Sequence, residues 1–227
     1  GVAYAHLLLG RGEFEGVEDR LRAAEQWLET GLDMGVDRQS PAHPAQVEAR
    51  PRPAATPIVV DKEAFRRLPG TIAIARTGIA LAQGDVPGAV TYARRALDLA
   101  PEDDYLTRGG AAGFLGLASW TSGDLEAAHR TYAEGMASLQ KAGNIADAIN
   151  GASTLAIIRM AQGRLHAAMR TCEQALQLAT AQHPEGAGSV LRGTADVYVG
   201  MSEIAHEHND RQTATQLLLK SKELGEH

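Results

Sequence analysis

The chain has little of what disulfide-bonded, aromatic-rich or membrane-spanning proteins depend on. Cys172 is the only cysteine among 227 residues, so no disulfide can form within the chain, and a reduced, cytoplasmic location is expected. Aromatic residues make up only 4% of the sequence. Alanine and leucine dominate, and a core of small and aliphatic side chains suits helices that pack closely side by side. No apolar run reaches the roughly 18–20 residues of a membrane-spanning helix, so no membrane partner is expected.

The charge pattern and the missing motifs exclude several classes of function. The net charge is −6, both signs are spread along the chain and no basic block stands out, so this region is not expected to bind nucleic acid. No phosphate loop, nucleophile elbow or dinucleotide-binding motif in its proper context is found. The expected function is therefore not enzymatic, and no cofactor is predicted. No signal peptide is visible, and a helical pattern reaches the last residues, which favours a fragment excised from a longer chain.

Similar segments recur along the chain, and each has the pattern of a helix, a tight turn and a second helix. One of them is LGLASWTSGDLEAAHRTYAEG, residues 115–135. The corner residues of the segments are Gly12, Gly84, Gly123, Gly163 and Asn209. The last three intervals between corners are 39, 40 and 46 residues, and the first is 72. Self-similarity at a period of about 40 residues indicates an array of helical repeats.

Small residues recur at fixed positions relative to each corner. Small side chains let helix axes approach toward the short end of the roughly 8–10 Å range. Gly116 and Gly135 fall in two such columns, and a helical glycine costs about 1 kcal/mol relative to alanine, so close packing must more than offset that cost. The column five residues after the corner contains Val17, Ala89, Ala128, Ala168 and Ala214.

A further column, nine residues after the corner, is expected to face the core. Cys172 belongs to it, so burial as a small hydrophobic side chain explains this cysteine better than a reactive thiol does. The column contains Leu21, Ala93, Tyr132, Cys172 and Leu218.

The pattern predicts an all-α fold in a single domain over residues 1–227, with about five helix-turn-helix repeats. Residues 37–57 contain five prolines, which remove backbone donors, so a flexible or irregular insert is expected there. This insert accounts for the doubled first interval. The repeats are predicted at residues 1–36, 61–101, 105–143, 145–183 and 187–227.

Local signals set the predicted helix ends. Asp61, Asp85 and Asp124 each precede a helix and can cap it, whereas Arg164 stands where the next cap is expected. Pro69, followed by glycine, is expected to kink or separate a short helix at 61–68 from the next one at 71–83. The first helix of the last repeat is predicted at 189–207.

These columns resemble the tetratricopeptide (TPR) pattern, which has a glycine before the turn, two alanines in the second helix and a terminal proline. The second repeat matches it with Gly84, Ala89, Ala96 and Pro101. Later repeats lack the proline and exceed the roughly 34 residues of the standard unit. With their longer helices, stretches such as EAFRRLPGTIAIARTGIALAQGD and VLRGTADVYVGMSEIAHEHND resemble the TPR array of MalT-like, LuxR-type ATP-dependent bacterial transcriptional regulators.

The resemblance implies a right-handed superhelical array lying between an NTPase module and a helix-turn-helix module. In that family the array acts as a sensor, on which an inducer or a regulatory protein binds and biases self-association. Neither a GxxxxGKS/T loop nor a DNA-binding helix pair occurs in this sequence. This region is therefore expected neither to hydrolyse ATP nor to bind DNA.

The resemblance also places candidate binding residues, because the first helices of TPR repeats line the concave face. Trp120 could stack on a sugar or anchor a peptide, or it could fill a gap between Gly113, Gly116 and the neighbouring helix. The polar candidates could instead be solvated. The inward positions include Leu81, Trp120, Asn150, Ser153, Asp196, Glu203 and His206.

Four arginines precede or open first helices and could cluster at one rim. Arginine forks suit carboxylate, phosphate or acidic partner segments, and surface salt bridges are the alternative. His206 and His208 are two residues apart on a helix and point about 200° apart, so no metal site is predicted. The four arginines are Arg66, Arg67, Arg108 and Arg192.

Two functions remain open from the sequence. The first is a sensor domain that binds a small-molecule inducer or a regulatory protein or peptide. The second is a scaffold or oligomerisation module that binds peptides or partner helices without sensing metabolites.

Overall fold

The computed structural model describes residues 2, 4, 8, 11–33, 61–182 and 191–225, and these residues form helices and turns without a strand. Residues 2, 4 and 8 are helical. The predicted all-α repeat array is confirmed, and the insert at 37–57 lies outside the described residues. The helices bounded at both ends are α1 (Val17–Asp33), α2 (Lys62–Ala82), α3 (Val86–Leu99), α4 (Tyr105–Thr121), α5 (Leu125–Lys141), α6 (Ile145–Ala161), α7 (Leu165–Gln182), α8 (Thr194–Glu207) and α9 (Arg211–Gly225).

Consecutive helices pair as hairpins, and each hairpin packs on the next. The pairs are α2 with α3, α4 with α5, α6 with α7 and α8 with α9. Their first helices (A helices) are α2, α4, α6 and α8, and their second helices (B helices) are α3, α5, α7 and α9. Each of α3, α5 and α7 also contacts the A helix that follows it, and α2–α4 and α6–α8 contact each other directly. Burial between nearest neighbours is the arrangement typical of a repeat array.

The predicted corners lie where the chain reverses direction within a hairpin. Gly84, Gly123 and Gly163 have φ of 75°, 86° and 73°. Asn209 is the one residue other than glycine with positive φ in the described part of the chain, at 60°. Glycine populates this left-handed region without a steric cost, and asparagine tolerates it better than most residues. The corner assignment from sequence is therefore confirmed.

Aspartates cap the B helices that follow Gly84 and Gly123, as predicted. The side chain of Asp85 accepts from the amide of Gly88 at 2.9 Å, and that of Asp124 accepts from Ala127 at 3.0 Å. Asp61 caps α2 in the same way at 2.9 Å from the amide of Ala64. Each such bond satisfies one of the free amides at a helix start.

The predicted separation of the helix at Pro69 was wrong, because α2 continues through it. Proline removes the donor to the carbonyl four residues earlier, which normally disfavours a helix interior. The next residue, Gly70, is buried against the end of α3, where an added Cβ would lie 3.3 Å from the Cα of Ala100. Packing on α3 therefore outweighs the local preference for a break.

The last A helix begins later than predicted. Residues 189 and 190 lie outside the described residues, Leu191–Gly193 are not helical, and α8 begins at Thr194. Gly193 has φ of 92°, and a Cβ there would lie 2.7 Å from the amide nitrogen of Asn150. The close approach of this turn to α6 therefore requires glycine.

The core is a series of clusters between neighbouring helices. The largest one joins α6, α7 and α8 around Ile149, Cys172, Val197 and Ile204, each with no exposed surface. Another joins α1 to α2 through Leu21 and other aliphatic side chains. No described helix is both long and apolar enough to cross a bilayer.

Candidate functional site

A groove of about 460 Å³ runs between the A helices α2, α4 and α6. The B helix α5 contributes Tyr132, Met136 and Leu139 to it. A volume of this size falls in the range of small-molecule and peptide side-chain sites. We call it the A-helix groove. Its apolar side chains, apart from the three on α5, are Ile74, Leu106, Phe114 and Leu117.

Glycines on α4 create the space in the groove. Gly110 lies opposite α2, and an added Cβ would meet only Cδ1 of Ile74, at the ordinary contact distance of 3.7 Å. Gly109 instead presses on α5, where a Cβ would lie 2.9 Å from the amide nitrogen of Leu139. Gly110 therefore leaves open volume in the groove, and Gly109 lets α5 approach closely enough to form one of its walls.

The wall from α5 includes one buried aromatic side chain and one flexible side chain. Tyr132 is 7% exposed, and burial raises the pKa of its phenol, so the side chain is uncharged across the physiological range. Met136 lies over Gly151 of α6, where any Cβ would overlap its sulfur. Methionine adapts its shape readily, so this wall can adjust to different apolar bodies.

Polar groups converge where α6 begins. Nδ2 of Asn144 donates to Oδ2 of Asp147 at 2.7 Å, and Arg192 pairs with Oδ1 of the same carboxylate. Asn150, one turn further along α6, lines the groove and is exposed. An apolar floor with amide and ion-pair groups at one side can bind an apolar body and orient its polar part.

The structure places the other predicted inward residues away from this groove. Trp120 is half-buried and packs on the core cluster of α4, α5 and α6. Leu81 and Ser153 are half-buried, and Oγ of Ser153 has no hydrogen-bond partner in the described part of the chain. The three predicted residues on α8 are exposed, namely Asp196, Glu203 and His206. Their proposed binding roles stay predictions.

The four arginines all make intramolecular contacts, and two of them share their partners. Arg66 and Arg67 both donate to Glu63 and Asp103, and these guanidinium groups hold the pKa of Glu63 at about 2. Arg108 donates to two carbonyls at the end of α3. With Arg192 paired to Asp147, three of the four follow the salt-bridge alternative.

The cysteine and two of the histidines lie among residues that favour a structural role for them. Cys172 is fully buried, and burial raises the pKa of its thiol to about 11, so the thiol stays protonated at neutral pH. The ring of His208 lies 5.5 Å from that of His166 on α7. Across the described ranges, no group of three or more His, Cys, Asp or Glu side chains could hold a metal ion.

Sequence reasoning identified Asn150 but missed most of the groove. The signal that could have revealed it is the run of glycines in YLTRGGAAGFLGL, of which only Gly113 and Gly116 entered the sequence interpretation, both for helix packing. Gly110 and Gly113 both line the groove, and a Cβ added at either position would meet only the end of a side chain, that of Ile74 or that of Met136. A helical glycine whose Cβ direction is open can thus indicate a binding surface.

Comparison with known families gives one match and one negative result. The family described as the MalT-like TPR region matches residues 70–227, from within α2 to the last residue. No curated protein matches the chain.

Proposed function

The chain belongs to the MalT-like TPR family, and from that premise we propose that it is the sensor and interaction domain of a LuxR-type transcriptional regulator. A small-molecule inducer, or a regulatory protein or peptide, binds in the A-helix groove and biases self-association of the regulator. The proposal places the protein in the cytoplasm and gives this region neither catalytic activity nor contact with DNA.

The observation that carries the proposal is the open groove on the A helices of a MalT-like TPR region. Its walls come from three successive repeats, through Ile74, Phe114 and Asn150. A body that contacts all three stabilises the arrangement in which α2, α4 and α6 lie side by side. Binding energy of this kind shifts the population of conformers, and interfaces formed by that arrangement strengthen with it.

The test is a thermal unfolding screen of the chain against a panel of sugars, amino acids, nucleosides and organic acids. A sensor gains about 2.7 kcal/mol of stability when a ligand is present at a hundredfold excess over its Kd. Sedimentation velocity with and without each stabilising compound then reports whether binding changes the association state. Sensing predicts both effects from the same compound. If no compound of the panel stabilises the chain but a protein or peptide binds in the groove, the inducer is a macromolecule.

A second function, a scaffold that associates without sensing, has its own supporting observation. Leu218 and Leu219 on α9 are 49% and 57% exposed. Leu218 belongs to the core-facing column, whose member Cys172 is fully buried. An exposed residue in a column that is otherwise buried marks a surface on which another helix can pack. Concentration-dependent association that no panel compound alters, and that Leu218→Ser abolishes, would favour the scaffold.

A further inference from the structure

A second pocket, of about 380 Å³, lies between α1, α2 and α3 and shares no residue with the A-helix groove. Most of its surface is apolar. Two aromatic rings, Phe65 and Tyr92, lie on different helices and face the same space. We call it the α1–α3 pocket. The apolar residues that line it include Leu28, Phe65, Pro69, Ile72, Tyr92 and Leu99.

Ion pairs and a ring contact hold the walls of this pocket in place. Arg76 on α2 donates to Glu25 at 2.5 and 2.8 Å and to Glu18 at 3.0 Å, so it ties α1 to α2. Trp27 on α1 meets Phe65 edge to face, with 5.2 Å between ring centroids. A pocket whose walls are already fixed costs a ligand less ordering entropy than one that must form on binding.

One of the charges in the pocket is not neutralised by the described residues. Arg66 and Arg76 are both paired with carboxylates, and Glu25 is paired with Arg76. Arg95 on α3 is exposed and lines the pocket, but no hydrogen bond or ion pair links it to any residue in the described ranges. The pocket therefore combines a large apolar surface with one spare guanidinium group.

We propose that the α1–α3 pocket binds a small organic monocarboxylate, with its apolar body between Phe65 and Tyr92 and its carboxylate on Arg95. This site goes beyond the proposed sensing groove and does not depend on it.

The single unpaired charge in the pocket and the planar shape of its guanidinium group favour a monocarboxylate ligand. The planar fork of a guanidinium matches the two oxygens of a carboxylate, and one spare cation balances one negative charge. A phosphate dianion would leave a negative charge unbalanced in an apolar pocket, which is costly. A cationic ligand would meet Arg95 directly, and the carboxylate of Glu25 is already occupied by Arg76.

The test is isothermal titration of the chain with octanoate and with phenylacetate, and with the neutral amides octanamide and phenylacetamide. The amides keep the apolar body and remove the charge. We expect saturable binding of a carboxylate, and binding of its amide weaker by about tenfold or more, as for loss of a charge-assisted hydrogen bond. Arg95→Gln should weaken carboxylate binding by a similar factor. Leu99→Ser, at an exposed position, should weaken the carboxylate and its amide alike.

Arg94→Gln is the matched control, because Arg94 is the preceding residue, is also exposed and does not line the pocket. It should leave the Kd unchanged, and circular dichroism should give wild-type helix content for every variant. The proposal is overturned if neither carboxylate binds saturably up to about 10 mM, a limit that corresponds to very weak affinity. It is also overturned if amides bind equally well, or if Arg94→Gln and Arg95→Gln have the same effect. Variants of the A-helix groove leave this pocket intact, so failure at one site is distinguishable from failure at the other.

Discussion

At Gly135 the backbone of α5 touches the backbone of α4. A Cβ at this position would lie 2.7 Å from the amide nitrogen of Gly113 and 2.8 Å from the carbonyl oxygen of Gly109. Backbone atoms in a helix cannot move aside as the end of a flexible side chain can. The missing methyl group therefore sets the distance between the two helices, and through it the width of the A-helix groove.

Gly135→Ala is expected to lower the free energy of unfolding by about 1–3 kcal/mol, because overpacking outweighs the gain in helix propensity. Gly78→Ala on α2 is the matched control, since nothing lies within 4 Å of its added Cβ. That variant should be stabilised by about 0.5–1 kcal/mol. Urea unfolding measures both changes. Equal effects of the two substitutions would contradict the close approach of α4 and α5.

Glu63 gives a prediction for acid pH. Its folded-state pKa of about 2 lies below the ordinary value of 4.5, so its contribution to stability is fully present above pH 4.5. That contribution is lost as the pH falls through about 2. Because the group is exposed, the effect is screened by solvent and salt. Thermal unfolding from about pH 5 to about pH 2 should therefore show a loss of stability that added salt makes smaller. Glu63→Gln should also make this loss smaller. An unchanged pH profile in Glu63→Gln would contradict the pairing with Arg66 and Arg67.

At the scale of one helix, the B helices differ in how they begin. Asp124 caps α5, whereas Arg164 occupies the corresponding position before α7. A guanidinium has no acceptor for the free amides at a helix start. Arg164 instead pairs with Glu126 at 2.7 Å, and both side chains are at least half exposed, so the pair contributes little.

Serine at position 164 should supply the missing cap. Arg164→Ser and Arg164→Ala both remove the ion pair, and only serine can accept from the amides of α7. We therefore expect the serine variant to be more stable than the alanine variant by about 1 kcal/mol, and Asp124→Ala to lose a similar amount. Differential scanning calorimetry measures all three. If the serine and alanine variants unfold at the same temperature, α7 does not begin at this position.

The elements could be predicted from sequence where local chemistry acts alone. Corners such as Gly123 and caps such as Asp124 depend on backbone conformation and a hydrogen bond within four residues. Pro69 and the start of α8 could not be predicted, because tertiary contacts decide them. Gly70 packs on Ala100, which lies 30 positions along the sequence, and Gly193 packs on Asn150. A single sequence does not encode such contacts in any local pattern.

At the scale of the whole molecule, the repeat period predicted the order of the helices but not the position of the groove. The inward positions were chosen by their place in an ideal repeat. That choice included Asn150, which lines the groove, but also Trp120, which packs on a core cluster. The open volume instead depends on glycines peculiar to α4, a local departure from the repeat. Three of the four arginines predicted at the rim pair with carboxylates, some of them far along the chain, such as Asp103 for Arg66.

The central claim is that the A-helix groove is where the ligand of this MalT-like TPR region binds. Gly110→Leu should fill the groove, because its Cβ points into open space beside Ile74. Gly78→Leu adds the same side chain to α2 at a position that does not line the groove.

The most direct measurement is the ligand-dependent shift in unfolding temperature of these two variants, with the compound that stabilises the wild-type chain most. The account predicts that Gly78→Leu keeps the shift and that Gly110→Leu loses it while retaining wild-type helix content. A full shift in Gly110→Leu would contradict the account.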